Sequence, residues 1–201
     1  MTTQSPDTQG RRERNKQDKL ARITDAACKL FAERGIDGVT TQQVAQAADV
    51  ATGTLFLYAK NKGELLLLAQ NAEYATALES GKRAAVKAAS TIDAILALWN
   101  PIIDCNRKHV ENGRAYLREV VFGDTLESNH RAAISLMLET EHETARLISK
   151  MHNAGGAVAD GKAQIISSMV LLLLSSPMNV DKSTNEVAKA LREQLHLVLN
   201  E

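Results

Sequence analysis

Apolar positions recur at three- and four-residue spacing through most of the chain, and no stretch sustains the two-residue alternation of a strand. Leu20, Ile23, Ala26, Ala27, Leu30 and Phe31 form the first stripe. It predicts a helix from about Arg14 to Arg34, stopped by Gly35 in a position that tolerates positive φ. After Gly38-Val39, Thr41 can cap a second helix of about seven residues, with Val44, Ala47 and Ala48 facing inward. Asp49 marks a break, and Thr52 to about Tyr58 reads as a third, short helix. Asn61 followed by Glu64 is a capping pattern that opens a fourth, which reaches roughly Lys82.

Five longer helices follow. Ser90 or Thr91 caps one that runs to about His109 and contains Pro101, where a kink is expected. A shorter one covers Arg114 to Phe122, ended by Gly123. Ser128 opens a long helix to about Asn153, before Gly155-Gly156. Another runs from about Gly161 to Ser176, ended at Pro177. Ser183, with Glu186 at the capping-box position, starts the last, which continues to Asn200. The fold class is therefore all-α.

Composition agrees: 44% hydrophobic and 24% charged residues suit a cored protein, while 3% aromatics require an aliphatic core. With 3 prolines and 11 glycines, little interrupts helix. Net charge is zero, but Arg11, Arg12, Arg14, Lys16 and Lys19 cluster near the N-terminus, ahead of the first stripe. Such a cluster suits a phosphate backbone or a solvated tail. The opening residues are polar and are expected to be disordered. No apolar signal segment is read, and the run from Ile165 to Leu174 is too short to span a bilayer, so a cytoplasmic protein with no membrane partner is expected.

Two short helices joined by a tight turn, with a small residue where they touch, make a helix-turn-helix whose second helix enters the major groove. The stretch TTQQVAQAADVATGTLFLY supplies Ala45 for the close contact and Val44, Val50 and Leu55 for the inside. Short polar side chains remain for the outer face.

The block TTQQVAQAADVATGTLFLYAKNKGELL, preceded by ITDAACKLFAERGIDGVTT, resembles the signature of the TetR family of bacterial transcriptional regulators. The likeness covers roughly residues 20–66. It implies an N-terminal three-helix helix-turn-helix domain followed by a larger helical ligand-binding and dimerisation domain. The boundaries implied are 1–13 for a disordered basic N-terminal arm, 14–63 for the DNA-binding domain, and 64–201 for effector binding and dimerisation. The function implied is that of a repressor which releases a palindromic operator DNA when a small molecule binds; the alternative is a helical small-molecule-binding protein or enzyme without specific DNA binding.

Carried over by position, the resemblance places Thr41, Gln42 and Gln43 at the DNA through the start of the second helix. Thr52, Gly53 and Thr54 stand at the start of the recognition helix. Phe56 would press on the sugar-phosphate wall, Tyr58 and Lys62 would bind phosphates, and Arg11, Arg12 and Arg14 would form a minor-groove arm. The family's turn glycine is Asp49 here, Ala51 stands where a serine usually caps, Phe56 replaces a tyrosine, and Ala59 replaces a large aromatic. With Ala51 unable to cap, Thr52 is open between capping the helix and reading bases.

Trp99, Tyr116, Phe122 and Met137 on the central helices are candidates to line an effector cavity, with ordinary core as the competing reading. The helix carrying Ile165, Met169, Leu172 and Leu173 is apolar almost all round, and Val187, Leu191, Leu195 and Val198 make a stripe on the last. Both are expected at a homodimer interface, or else in one subunit's core. Glu139, Glu141, His142 and Glu143 lack the spacing of a metal motif, and no nucleophile setting is seen, so neither metal, cofactor nor catalysis is expected. Cys28, on an apolar face, reads as a small core residue.

Overall fold

The computed structural model describes residues 6–152 and 155–200, and among these the chain is helical with no strand. Nine α-helices follow one another: α1 Pro6–Arg34, α2 Thr41–Ala47, α3 Thr52–Leu55, α4 Lys62–Ala85, α5 Thr91–Arg107, α6 Val110–Phe122, α7 Ser128–His152, α8 Gly156–Ser175 and α9 Thr184–Leu199. A short 3-10 turn, Pro177–Asn179, links the last two.

Each cap has a local cause. Ser90 accepts from Asp93 N at the start of α5, and Ser183 with Glu186 forms a reciprocal capping box on α9. Asn61 caps α4 through Glu64 N (2.8 Å). The second helix is capped by Thr40, not Thr41: Thr40 is extended (φ −106°, ψ 156°) and Gln43 returns its side chain to the Thr40 amide. Gln43 stands three residues after Thr40, whereas Val44 stands three after Thr41, so only Thr40 can close the box. Pro101 is accommodated within α5, which continues to Arg107.

Several expected boundaries move: α6 starts at Val110, ahead of Arg114, and α8 at Gly156, ahead of Gly161. Residues 6–13, expected to be disordered, continue α1 outward, because Arg, Glu, Gln and Lys are good helix formers and Pro6 suits a first turn; residues 1–5 of that arm lie outside the described residues. The third helix ends at Leu55, three residues before Tyr58, and the chain leaves it through turns.

The core is one continuous aliphatic cluster. α4 runs from the N-terminal part into the body, packing on α1 near its start and on α5, α6 and α7 beyond. In the N-terminal part Ile23, Ala27, Leu30 and Phe31 of α1 meet Val44, Ala45, Leu55 and Leu65. Asn112 of α6, buried, ties the two parts: its Nδ2 donates to Phe31 O and its Oδ1 accepts from Ile36 N, both at 2.7 Å.

Candidate nucleic-acid interface and buried cavity

Asp49 adopts φ 52° in the turn between α2 and α3, the left-handed conformation a short polar residue tolerates best after glycine. Val50 N donates back to Ala45 O (3.0 Å), and Val44, Ala45 and Leu55 are buried, so the two short helices are locked at a fixed crossing. Ala47, expected inward, is exposed, and Ala45 takes the contact.

This leaves the start of α3 open. Ala51 is its N-cap with no side-chain cap bond, and Thr52 is the first helical residue. The hydroxyl of Thr52 is thus not used as a cap. Gly53 is fully available beside it, with nothing near where a side chain would stand. Gln42 is exposed, and Thr41, half-buried, donates to Gln42 Oε1 (3.3 Å). Gln43 is exposed but committed to its capping box. Thr54 is half-buried, Phe56 is exposed, and Leu57, which sequence reasoning passed over, is 83% exposed beside it.

Tyr58 and Lys62 are tied into the fold. Tyr58 OH donates to Lys16 O (3.2 Å), and Lys62 Nζ donates to Val39 O (3.2 Å). Lys62 keeps further N–H groups for an anion. The Tyr58 bond sets α1 against the end of α3, which brings the basic run beside the recognition helix. Arg11, Arg12 and Arg14 are exposed there on a helix rather than on an extended arm, so they project in different directions about its axis.

In the body, an inner cavity of about 170 Å³ is lined by Tyr74, Trp99, Ile102, Asn106, Tyr116, Leu117, Met137, Ser167 and Leu171, among others. Trp99 Nε1 donates to Thr144 Oγ1 (3.1 Å), and Tyr74 OH is bonded to Thr140 Oγ1 (3.0 Å). Ser167 Oγ is buried without a partner among the described residues. Burial pushes Tyr74 up to about 12 and raises Tyr116 as well, so both hydroxyls stay protonated. Among the described residues Glu141 is the one carboxylate on the lining, and no Lys or Arg lines it.

Three of the four expected ligand residues meet there; Phe122 does not. It ends α6 six residues after Tyr116, about 120° further round the helix, and is 82% exposed. It lines instead an open cleft of about 700 Å³ with Lys62, Arg114, Arg118 and Leu172. Leu117 and Leu171 face both spaces.

The stripe on α9 is also redirected. Val187, Leu191 and Leu195 are buried against α5 and α8 of their own chain, with Arg192 bonded to Asp93 (2.8 Å) across the same contact; they are not available to a partner. The moment that marks that stripe is the one the subunit core uses. Exposed apolar area lies elsewhere: Val158, Ile165 and Leu172 on α8 and Leu197 on α9, with Met169, Leu173 and Val198 half-buried.

Cys28 and Cys105 are half-buried free thiols, pushed up by burial to about 11 and about 12 respectively, and so stay protonated. Among the described residues no group of three His, Cys, Asp or Glu is arranged to hold a metal.

A locked pair of short helices with an uncapped, exposed second helix defines a helix-turn-helix protein. Residues 23–69 match the family model described as bacterial regulatory proteins, tetR family. A fatty acid metabolism regulator protein of Bacillus subtilis is 39% identical over 54 residues, 27% of this chain and 28% of that protein. The transcriptional repressor KstR of Mycobacterium tuberculosis is 24% identical over 197 residues, 96% of this chain and 84% of that one. Among solved structures, the repressor FadR of Thermus thermophilus in complex with lauroyl-CoA superposes with a TM-score of 0.71 at 20% identity, over 90% of this chain and 93% of that one. The N-terminal helix-turn-helix segment thus carries the tetR-family signature, and the chain as a whole shares the fold of solved regulators of that family.

Proposed function

We propose that the protein is a ligand-responsive transcriptional repressor, which binds a palindromic operator as a homodimer in the cytoplasm and releases it when a small molecule fills the body. The observation that carries this is the open start of α3. Thr52, half-buried, and Gly53, exposed, stand uncapped on a helix fixed by buried Val44, Ala45 and Leu55, with Lys62 and the basic run of α1 at its flanks. Small residues let that helix enter a groove, Thr methyl groups suit thymine methyls, and Leu57 adds a further apolar contact. Gln42 and Thr41 stand at the start of α2, and Phe56 meets the sugar-phosphate wall.

One helix reads few base pairs, so two must act together at half-sites about one turn apart. Val158, Ile165 and Leu172 recur every seven residues along α8, the spacing of a helix-packing seam. Together with Met169, Leu173, Leu197 and Val198 they form the face assigned to the partner subunit. α8 is long and apolar enough to cross a membrane, with a mean hydropathy of 1.5. Asp160, Lys162, Gln164, Ser167 and Ser168 along its length favour a helix–helix seam over lipid.

The inner cavity is assigned to the effector, with Trp99, Tyr116 and Met137 on its wall. At about 170 Å³ it is close to the size of cavity that takes a single benzene, and it suits an apolar group bearing one hydrogen-bonding atom for Ser167. The lauroyl-CoA of the Thermus FadR is far larger; a ligand of that kind would need Leu117 and Leu171 to part and its charged head to lie in the outer cleft beside Arg114 and Arg118. Trp99 is the chain's one tryptophan and sits on the cavity wall, so its fluorescence reports occupancy.

A gel shift with the duplex upstream of the protein's own gene tests the reading. Cooperative binding that weakens steeply with salt, and that weakens further with a compound which alters Trp99 emission, is the expected result. Trp99 titration without any duplex binding would instead fit a helical small-molecule carrier.

A further inference from the structure

A run of buried and part-buried hydrogen bonds joins the inner cavity to the end of the recognition helix. It starts at Tyr116 on the cavity wall, whose hydroxyl donates to Asn71 Oδ1 on α4 (3.0 Å). Asn71 Nδ2 donates to the carbonyl of Asn129 in the first turn of α7 (2.9 Å). Asn129 Nδ2 donates to the carbonyl of Tyr58 (2.8 Å), and Tyr58 N bonds back to Leu55 O, the last residue of α3 (2.8 Å). Tyr58 OH then fastens α1 through Lys16 O.

Asn71 and Asn129 are buried, and an aliphatic side chain would fill either position without the cost of burying an amide. What an amide adds is a donor and an acceptor on one short, rigid group. Asn71 uses both, accepting from Tyr116 and donating to Asn129, so a shift at one end is transmitted to the other.

We propose that this chain of bonds reports the occupancy of the cavity to α3, with Asn71 and Asn129 as positioning residues for the recognition helix. The proposal rests on the assignment of the inner cavity to the effector. The ring of Tyr116 lines the cavity, and a displacement of about 1 Å takes its 3.0 Å bond beyond hydrogen-bonding range. Asn71 is then released to reorient, the carbonyl of Tyr58 loses its side-chain donor, and the exit from α3 loosens. By linkage, DNA that holds α3 in place favours the intact chain and the empty cavity.

A neighbouring tyrosine supplies the control. Tyr74 lines the same cavity with its ring 6.4 Å from that of Tyr116, but its hydroxyl is bonded to Thr140 and stands outside the chain to Tyr58. Tyr116→Phe and Tyr74→Phe each remove one buried hydroxyl and leave the ring. The readout is hydrogen–deuterium exchange at the amides of Tyr58 and Ala59 in the free protein, together with affinity for a duplex selected by the wild type. Tyr116→Phe is expected to speed that exchange about fivefold and weaken the duplex by a similar factor, the equivalent of one hydrogen bond. Tyr74→Phe, whose lost bond lies outside the chain to Tyr58, is expected to change both by less than half as much as Tyr116→Phe. In an Asn129→Ala background, Tyr116→Phe is expected to add nothing. Equal effects from the two tyrosine variants, or an undiminished effect of Tyr116→Phe in that background, would overturn the proposal. The exchange measurement needs neither DNA nor effector, so a wild type that binds no duplex would count against the regulator reading and leave the chain of bonds still tested.

Discussion

Asn112→Ala removes the side chain that fastens the helix-turn-helix part to the body. Asn112 is 2% exposed and makes two bonds of 2.7 Å, from Ile36 N and to Phe31 O. The two partners suffer unequally. Phe31 O retains Gly35 N at 3.0 Å, so its loss is that of one ordinary hydrogen bond, about 0.5–1.5 kcal/mol. Ile36 N has no second acceptor among the described residues, and stranding the amide of this half-buried residue costs about 1–3 kcal/mol. The total is about 2–4 kcal/mol, equivalent to about 5–15 °C in Tm for a chain of this size. Urea unfolding should be followed by circular dichroism and by Trp99 emission. Because the lost bonds hold α1 to α6 while Trp99 reports the body, the helical signal of the variant should fall before the tryptophan signal, whereas the two should coincide in wild type. A variant within about 0.5 kcal/mol of wild type, with coincident transitions, would refute this account of the junction.

Other outcomes follow from single contacts. Lys62→Ala should weaken binding to all duplexes alike and reduce the salt slope by about 0.9 for each half-site, whereas Thr52→Val should change which sequence is preferred; binding isotherms across salt and sequence separate the two. Glu64 is buried, and its pKa is raised from 4.5 chiefly by desolvation, against the amides of Asn129 and His130 that its carboxylate accepts. The folded state therefore holds that proton more tightly than the unfolded chain, so stability present below pH about 4.5 is lost as pH rises through the folded value. Glu64→Gln should flatten that part of a urea-midpoint profile. Gly81→Ala should cost about 1–3 kcal/mol or more by chemical denaturation, since a methyl there overlaps the carbonyl of Leu98 where α4 crosses α5. Leu172→Glu, at the C-terminal end of the exposed seven-residue repeat on α8, should turn a dimer into a monomer in sedimentation equilibrium.

The helices were legible in the sequence because their caps and stripes are local properties. Ser183 with Glu186, Asn61 with Glu64 and the stripe from Ile23 to Phe31 each announce themselves within one or two turns. Even the misplaced cap at Thr41 was recoverable, since Gln43 lies three residues after Thr40. What a single chain's pattern could not separate was which neighbour an apolar face meets. Leu191 and Leu172 look alike in sequence, yet the first is buried in its own subunit and the second is 68% exposed. Phe122 lies off the inner cavity for a related reason: aromatic character suggests a cavity wall, but its angle on α6 turns it outward into the open cleft. Asn71, Asn129 and Asn112 gave no sequence signal, because their roles arise from contacts 45 to 81 residues distant along the chain.

Selection of bound duplexes from a randomised pool by the intact protein tests the central claim most directly. The account predicts enrichment of a palindrome whose half-sites are about one helical turn apart, with affinity that falls as salt rises. Recovery of no sequence above nonspecific binding would contradict it.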